Sequence, residues 1–159
     1  MKKLHILRHA KTNQYSNTGK DIDRELLAKG IKQSVIFGEN KGCRINNVKI
    51  LCSSSQRTKQ TLELIKTYLN FSCIEYIDDL YLATCNEIES LINKQGNIDE
   101  DLLIIGHNFG LSDLASNALN KEIYLKTCEY VCLQIKIDNW NGYIEGCGKK
   151  IDSYRPKVN

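Results

Sequence analysis

Three short, largely apolar runs, each ending abruptly at polar residues, constrain the fold of this chain more than any other feature of its sequence. They are Leu4–Leu7, Val48–Cys52 and Asp101–Gly106. Short apolar runs bounded by polar residues are typical of buried β-strands. The third run, DLLIIG, is the most hydrophobic in the chain, which predicts a central strand buried on both faces of a sheet. Because apolar residues at helical spacing follow the second and third runs, the pattern predicts an α/β fold.

The rest of the chain supplies further helices and strands to this plan. Helices are expected at Leu26–Glu39, after Ser53, at Asn86–Lys94 and at Leu111–Leu119, a strand at Cys73–Ile77, and a hairpin from Tyr130–Ile137 and Asn141–Cys147. Trp140 is expected to pack in the hairpin connection, and residues 149–159 are expected to fray. We therefore predict a three-layer α/β sandwich: a mostly parallel central sheet with helices on both faces and an antiparallel edge hairpin.

Length and composition set the class of protein. A chain of 159 residues fits a single domain, here 1–159, and its 42% hydrophobic and 26% charged residues are ordinary for a folded protein. No apolar run is long enough to cross a bilayer, and the apolar segment after Lys2 and Lys3 is too short for a secretory signal, so a cytoplasmic location is expected. The net charge of +3 is scattered, which argues against a nucleic-acid partner.

Cysteine usage gives no sign of a metal or disulfide framework. The seven cysteines are an odd number and include no C-x-x-C pair, which is unlike zinc sites and secreted disulfide scaffolds. Neither a metal ion nor a cofactor is therefore expected.

Cationic and imidazole side chains follow each of the three runs. Arg8 and His9 follow the first run, Arg57 follows the second, and His107 follows the third. The carboxyl ends of parallel strands meet at one edge of a sheet, where ligands bind, so these four residues are expected to converge. Arginine matches phosphate with a planar fork of donors, and histidine can be a nucleophile near pH 7. Each residue alone is ordinary, but together they predict a site for phosphate chemistry.

Local signals refine this site. Ser53 and Gln56 fit a capping box that would begin a helix directly after the second strand and place Arg57 in its first turn, where an anion is favoured. The polar loop from Lys11 to Asp23 is long enough to be functional.

The carboxylate that would act as proton donor is less defined. Glu87 stands near the start of a predicted helix, where a carboxylate is favourable for the helix dipole alone. The alternative is that Glu87 or Asp79 projects into the phosphate pocket as an acid.

The sequence resembles the histidine phosphatase superfamily, also called the phosphoglycerate mutase-like superfamily. The segments that carry the resemblance are LHILRHAKT (4–12), DRELLAKG (23–30), SSSQRTKQT (53–61) and LLIIGHNFGLSDL (102–114). The short length, the RHAK opening and the LYLAT segment (80–84) are most similar to the SixA branch of phosphohistidine phosphatases. Three segments depart from the family pattern. Arg24-Glu25-Leu26-Leu27 stands where Arg-Pro-Leu-Thr is usual, and Ser54 and Phe109 stand where proline is common.

The resemblance implies a role for each site residue. His9 would be the nucleophile that becomes phosphorylated, and Arg8, Arg57 and His107 would complete the phosphate pocket without a metal. Family members that act on phosphate esters use a carboxylate after the third strand, and Glu87 is the candidate here. Two neighbouring arginines should keep the His9 imidazole neutral and able to attack phosphorus.

The expected function is removal of phosphate from phosphohistidine in a protein of the histidine phosphotransfer type, a role in signal transduction. Imidazole leaves more easily than an alkoxide, so a site without a certain acid favours a P–N bond. Two alternatives stay open: a phosphatase of a small phosphate ester or anhydride, and a non-catalytic module that binds phosphoproteins.

Overall fold

A six-stranded sheet forms the centre of the molecule in the computed structural model, which describes residues 1–159. The strands are β1 (Lys2–Arg8), β2 (Val48–Ser53), β3 (Phe71–Ile77), β4 (Asp101–Gly106), β5 (Tyr130–Ile135) and β6 (Gly148–Tyr154). The helices are α1 (Ala28–Lys41), α2 (Gln56–Ile65), α3 (Cys85–Asn93) and α4 (Gly110–Leu119). No helix combines the length and the apolar character that crossing a membrane requires.

The strand order is β3-β2-β4-β1-β5-β6, with β3, β2, β4 and β1 parallel and β5 and β6 antiparallel. The predicted fold class is therefore confirmed. The hydrophobic run of β4 lies between β2 and β1, where both its edges and both its faces are covered. In the β1–β4 register Arg8 lies opposite Gly106, so the residues that follow these two strands emerge side by side.

Two hydrophobic clusters cover the two faces of the sheet. Alternate residues of β4 point to opposite sides: Leu102 and Ile104 join the cluster under α3 and α4, and Leu103 and Ile105 join the cluster under α1 and α2. All four side chains are fully buried. A strand with apolar residues on both faces shows no alternation in sequence, which is why DLLIIG reads as one continuous apolar run.

The start of α2 differs from the prediction. Ser55 is the N-cap, and its hydroxyl oxygen accepts a hydrogen bond from the Thr58 backbone N–H at 3.4 Å. The predicted capping box of Ser53 and Gln56 is wrong, because β2 continues through Ser53 and the chain needs a turn before the helix begins at Gln56. Arg57 nevertheless lies in the first turn of α2, as expected.

The second strand of the terminal hairpin also differs. It is β6, further along the chain than the predicted Asn141–Cys147, and residues 140–142 form a short 3-10 turn. Trp140 is fully buried there, as expected, and its Nε1 donates a hydrogen bond to the Glu100 carbonyl oxygen at 3.0 Å. The prediction that residues 149–159 fray is wrong for residues 149–156, because β6 pairs with β5 and Pro156 is buried. Since most of the side chains of β6 are exposed, this edge strand has no hydrophobic pattern to reveal it.

Candidate active site

An open cavity of about 760 Å³ lies at the carboxyl ends of β1, β2 and β4. Its lining includes all four residues that the sequence singles out, Arg8, His9, Arg57 and His107. The parallel register explains this convergence, because β1, β4 and β2 are neighbours and end at the same edge of the sheet. The rings of His9 and His107 lie with their centroids 5.3 Å apart.

His9 is held in one tautomer by the backbone. Its Nδ1 lies 2.8 Å from the Ala10 carbonyl oxygen. A carbonyl oxygen can only accept, so Nδ1 carries the hydrogen and Nε2 keeps its lone pair. The side chain is 7% exposed, which leaves it buried at the floor of the site but not sealed from the cavity.

The surroundings of His9 also favour its neutral form. Burial, together with the charges of Arg57 and Arg8, lowers the pKa of His9 to about 3 against the opposing effect of the hydrogen bond to Ala10. A neutral imidazole with a free Nε2 lone pair is the form in which histidine acts as a nucleophile.

His107 is positioned by two serines at the end of β2 and the start of α2. Its Nε2 lies 2.8 Å from the Ser53 hydroxyl oxygen and 3.4 Å from that of Ser55. Burial, followed by the proximity of His9 and Arg57, lowers the pKa of His107 to about 3. When the Ser53 hydroxyl donates to Nε2, the hydrogen of the neutral ring is on Nδ1, which has no partner in the protein.

Both arginines are anchored by their terminal nitrogens. Arg57 donates from Nη1 to the Asp21 carbonyl oxygen at 2.8 Å and from Nη2 to the Asp21 carboxylate at 3.1 Å. Arg8 donates from Nη1 to the Leu125 carbonyl oxygen at 2.9 Å. The Nε atoms of both side chains are buried and have no partner.

Three buried nitrogens of cavity-lining residues therefore have no hydrogen-bond partner: Arg8 Nε, Arg57 Nε and His107 Nδ1. Leaving a buried donor unpaired costs ~1–3 kcal/mol, so such atoms are rare outside functional sites. A tetrahedral oxyanion in the cavity would meet the permanent positive charges of Arg8 and Arg57. The geometry thus fits a phosphoryl group.

Asp21 is a site residue that sequence reasoning missed. It is the one carboxylate in the cavity lining, and it accepts hydrogen bonds from Arg57, from Arg24 Nη1 at 2.9 Å and from the Tyr81 hydroxyl. Burial alone would raise its pKa, but the hydrogen bonds from Tyr81 and Arg24 and the charge of Arg57 hold the pKa of Asp21 well below its usual range. The carboxylate is therefore ionised at neutral pH.

The Asp21 network extends to the second imidazole. The Tyr81 ring packs edge-on against His107, with centroids 5.5 Å apart, and the Arg57 guanidinium lies 5.8 Å from the Tyr81 centroid. The sequence held one signal for this network, the Asp21-x-x-Arg24 spacing inside a polar loop long enough to be functional. The partners Arg57 and Tyr81 are far away in the chain and gave no local signal.

The expectation that Glu87 or Asp79 reaches the pocket as an acid is corrected. Glu87 completes a capping box at the start of α3, where its carboxylate accepts from the Thr84 backbone N–H at 2.7 Å and from the Thr84 hydroxyl at 2.9 Å. These hydrogen bonds lower the pKa of Glu87, and its side chain is exposed. Asp79 is also exposed, in a 3-10 turn, and neither residue lines the cavity.

Comparison with known proteins gives an independent result. The model of the histidine phosphatase superfamily (branch 1) matches residues 4–91. An uncharacterised protein of Mycobacterium tuberculosis is 32% identical over 110 residues, which cover 69% of this chain and 67% of that protein.

Solved structures share the whole fold. The Nakamurella multipartitia protein assigned as the phosphohistidine phosphatase SixA has a TM-score of 0.82 at 18% identity, covering 99% of this chain and 97% of that one. The protein histidine phosphatase SixA complexed with tungstate has a TM-score of 0.79 at 19% identity, covering 96% of each chain. At these identities the likeness establishes a common fold.

Proposed function

The chain belongs to the histidine phosphatase superfamily, and we propose that it removes phosphate from phosphohistidine in a protein through a phosphorylated His9. One observation carries this proposal: His9 offers a neutral Nε2 in a cavity where three buried nitrogens of Arg8, Arg57 and His107 have no partner. A neutral nucleophile beside two arginines is the arrangement that phosphoryl transfer requires.

The first step is an in-line displacement at phosphorus. His9 Nε2 forms a bond to phosphorus while the bond from phosphorus to the substrate's imidazole nitrogen breaks. The substrate imidazole leaves as a neutral ring when its distal nitrogen is protonated. Arg8, Arg57 and His107 stabilise the charge on the three equatorial oxygens.

The second step returns the enzyme to its starting form. A water molecule attacks phosphorus, the bond to His9 Nε2 breaks, and inorganic phosphate leaves with the oxygen of the water. The protons of that water are taken up by the phosphate and the solvent. Because two arginines supply the positive charge at phosphorus, we propose that neither step needs a metal ion.

The state of Asp21 supports phosphohistidine as the substrate. An alkoxide leaving group benefits from a protonated acid, whereas Asp21, the one carboxylate lining the cavity, is ionised and engaged with Arg24, Arg57 and Tyr81. Imidazole has a lower basicity and leaves without such help. The protein partner, the cytoplasmic location and the role in signal transduction stay predictions.

The proposal is tested by mixing the protein with a 32P-labelled phosphohistidine protein and stopping the reaction rapidly without acid. We expect one acid-labile, base-stable phosphate per chain in the wild type, none in His9→Ala, and an unchanged rate with EDTA present. Circular dichroism and thermal unfolding of His9→Ala control for folding. Wild-type turnover by His9→Ala would overturn the mechanism.

The same assay with sugar phosphates, nucleotides and an aryl phosphate at equal concentrations separates the substrate classes. Turnover of an ester faster than of phosphohistidine would assign the site to small phosphate compounds. Binding without a phosphorylated intermediate or product would assign it to a non-catalytic module.

A further inference from the structure

Three large apolar side chains are exposed on segments that contribute residues to the cavity lining. Leu82 is 53% exposed, Phe109 is 71% exposed and Tyr124 is 57% exposed. We call these three residues the apolar rim. Single exposed apolar residues are common on proteins, but a group of them beside a binding site marks an interaction surface.

The apolar rim is built on segments that also build the cavity. Leu82 and Asn108 both line the cavity, and Phe109 directly follows Asn108. The segments of Leu82 and Phe109 touch, because a Cβ added at Gly110 would collide with the carbonyl oxygen of Ala83. Leu82 and Phe109 are therefore held at one side of the same opening.

Tyr124 is linked to the cavity through the following residue, Leu125. The carbonyl oxygen of Leu125 accepts hydrogen bonds from Arg8 Nη1 at 2.9 Å and from Asn108 Nδ2 at 2.8 Å. Thr127, on the same segment, lines the cavity. The three rim residues thus belong to three segments that meet at the phosphate site.

The left-handed backbone of Leu82 indicates that its side chain contacts a ligand. Leu82 has φ +50°, in the left-handed region that glycine and asparagine adopt and that leucine avoids. Burial cannot account for a leucine at this position, because the side chain is mostly in water. A strained residue that exposes an apolar group at the edge of a site is expected where a ligand contacts it.

We propose that the apolar rim is the docking surface for the protein that carries the phosphohistidine, which presents an apolar patch around that residue. The inference rests on the proposed function. A small phosphate compound would be held by the cavity lining, in which only Leu27 and Leu82 are hydrophobic, and would leave Phe109 and Tyr124 in water. A folded protein whose phosphohistidine reaches His9 must lay the surface around that histidine on the rim.

The charged cavity lining and the apolar rim recognise different parts of the substrate protein. The cavity lining, with Arg8, Arg24 and Arg57, complements the negative phosphoryl group. The apolar rim complements the apolar surface of the carrier protein, and so selects protein-borne phosphohistidine over the free compound.

A double variant tests this docking surface. Phe109→Ser and Tyr124→Ser together remove the two apolar side chains of the rim that do not line the cavity. Ile144→Ser is the matched control, because Ile144 is 67% exposed but lies beside the Trp140 turn, which contacts Gly96 and Glu100 ahead of β4 at the opposite end of the sheet.

The substrates are a phosphorylated histidine phosphotransfer domain and free phosphohistidine. For the double variant we expect KM for the phosphoprotein to rise by about 10-fold or more, with kcat and the turnover of free phosphohistidine within about 2-fold of wild type. Ile144→Ser should match wild type on both substrates.

Three results would overturn the docking surface. The first is an unchanged KM of the double variant for the phosphoprotein. The second is an equal loss on both substrates, which would mean that the rim shapes the cavity. The third is a wild-type dimer that the double variant converts to a monomer, which would make the rim an interface between copies. Failure of the proposed function is distinguishable, because the wild type would then form no phosphorylated His9 with either substrate.

Discussion

Arg57 shows, at the scale of single residues, how the site holds a positive charge that is almost fully buried. Its two terminal nitrogens are occupied by Asp21, through the backbone carbonyl and the carboxylate, so the guanidinium cannot turn away from the cavity. Its Nε is left without a partner. Asp21 therefore positions Arg57 for an incoming anion, although Asp21 itself is partly exposed.

Removing the Asp21 carboxylate should slow the reaction without unfolding the protein. In Asp21→Ala, Arg57 and Arg24 each lose an ion pair and Tyr81 loses a hydrogen bond. We expect kcat/KM for phosphohistidine to fall by ~10–100-fold, the range for a misoriented catalytic group. Glu87→Ala is the control, because its carboxylate caps α3 outside the cavity, and its kcat/KM should match wild type. Equal effects of the two variants would contradict this role of Asp21.

The three histidines make stability depend on pH. The pKa of His5 is lowered to about 4 and those of His9 and His107 to about 3, in each case chiefly by burial, from an ordinary value of 6.5. Below about pH 6.5 the unfolded chain binds protons that the folded chain does not, so stability is present above that pH and is lost as the pH falls toward 4.

Urea unfolding at pH 7 and pH 5 measures this effect. We expect the free energy of unfolding to decrease by up to ~2 kcal/mol per histidine over this interval. His5→Gln removes one of the three proton-binding groups and should give a shallower dependence on pH. His5 is buried against Tyr130, 2.7 Å from its hydroxyl, and does not line the cavity. Stability that is level or rises on acidification would contradict the lowered pKa values.

The N-cap residues of α2 and α3 lie at the sheet edge that carries the site. Ser55 caps α2, and Thr84 with Glu87 caps α3. The cap of α2 has a second contact, since the Ser55 hydroxyl also lies 3.4 Å from His107 Nε2. One serine thus begins the helix that carries Arg57 and contacts the second histidine of the site.

Substitution of two adjacent serines tests which of them caps α2. Ser55→Ala should lower the free energy of unfolding by ~1 kcal/mol, because the Thr58 N–H loses its acceptor. Ser54→Ala should leave stability unchanged or slightly higher, because the Ser54 hydroxyl is buried without a partner. Guanidinium unfolding curves of both variants measure the difference, and an equal effect at both positions would contradict the assignment of the cap.

Over the whole molecule, the loop that follows His9 rests on α1. Lys11 N–H donates to the Gln33 side chain at 3.0 Å, and the Lys11 carbonyl oxygen accepts from the Leu27 N–H at 3.0 Å. Gly30 has its backbone against the same carbonyl, where a Cβ would collide. This glycine weakens the helical pattern in the sequence, and the structure shows that it permits a close approach between distant segments.

Gly30→Ala tests that approach. In an exposed helix the change would stabilise the protein by about 1 kcal/mol, but here we expect a loss of ~1–3 kcal/mol, because α1 must move away from the Lys11 carbonyl. Lys29→Ala, at an exposed neighbouring position, should change stability by less than ~0.5 kcal/mol. A stabilised Gly30→Ala protein would contradict the packing described for this contact.

The amino-acid sequence was enough to predict the strands β1, β2 and β4, the α/β class and the convergence of Arg8, His9, Arg57 and His107. Buried strands have a local apolar signal, and parallel strands bring the residues that follow them to one edge. Two predictions were wrong, the N-cap of α2 and the position of the last strand. Adjacent serines are alternative caps, and an exposed edge strand has no hydrophobic pattern.

The groups that surround the four site residues could be identified only from the folded structure. The contacts of Asp21 with Arg57, of Ser53 with His107 and of Tyr81 with Asp21 join segments far apart in the chain. The apolar rim is likewise assembled from three separate segments. No residue's immediate neighbours in sequence encode such contacts, since they form only when sheet packing brings loops from different strands to the same place.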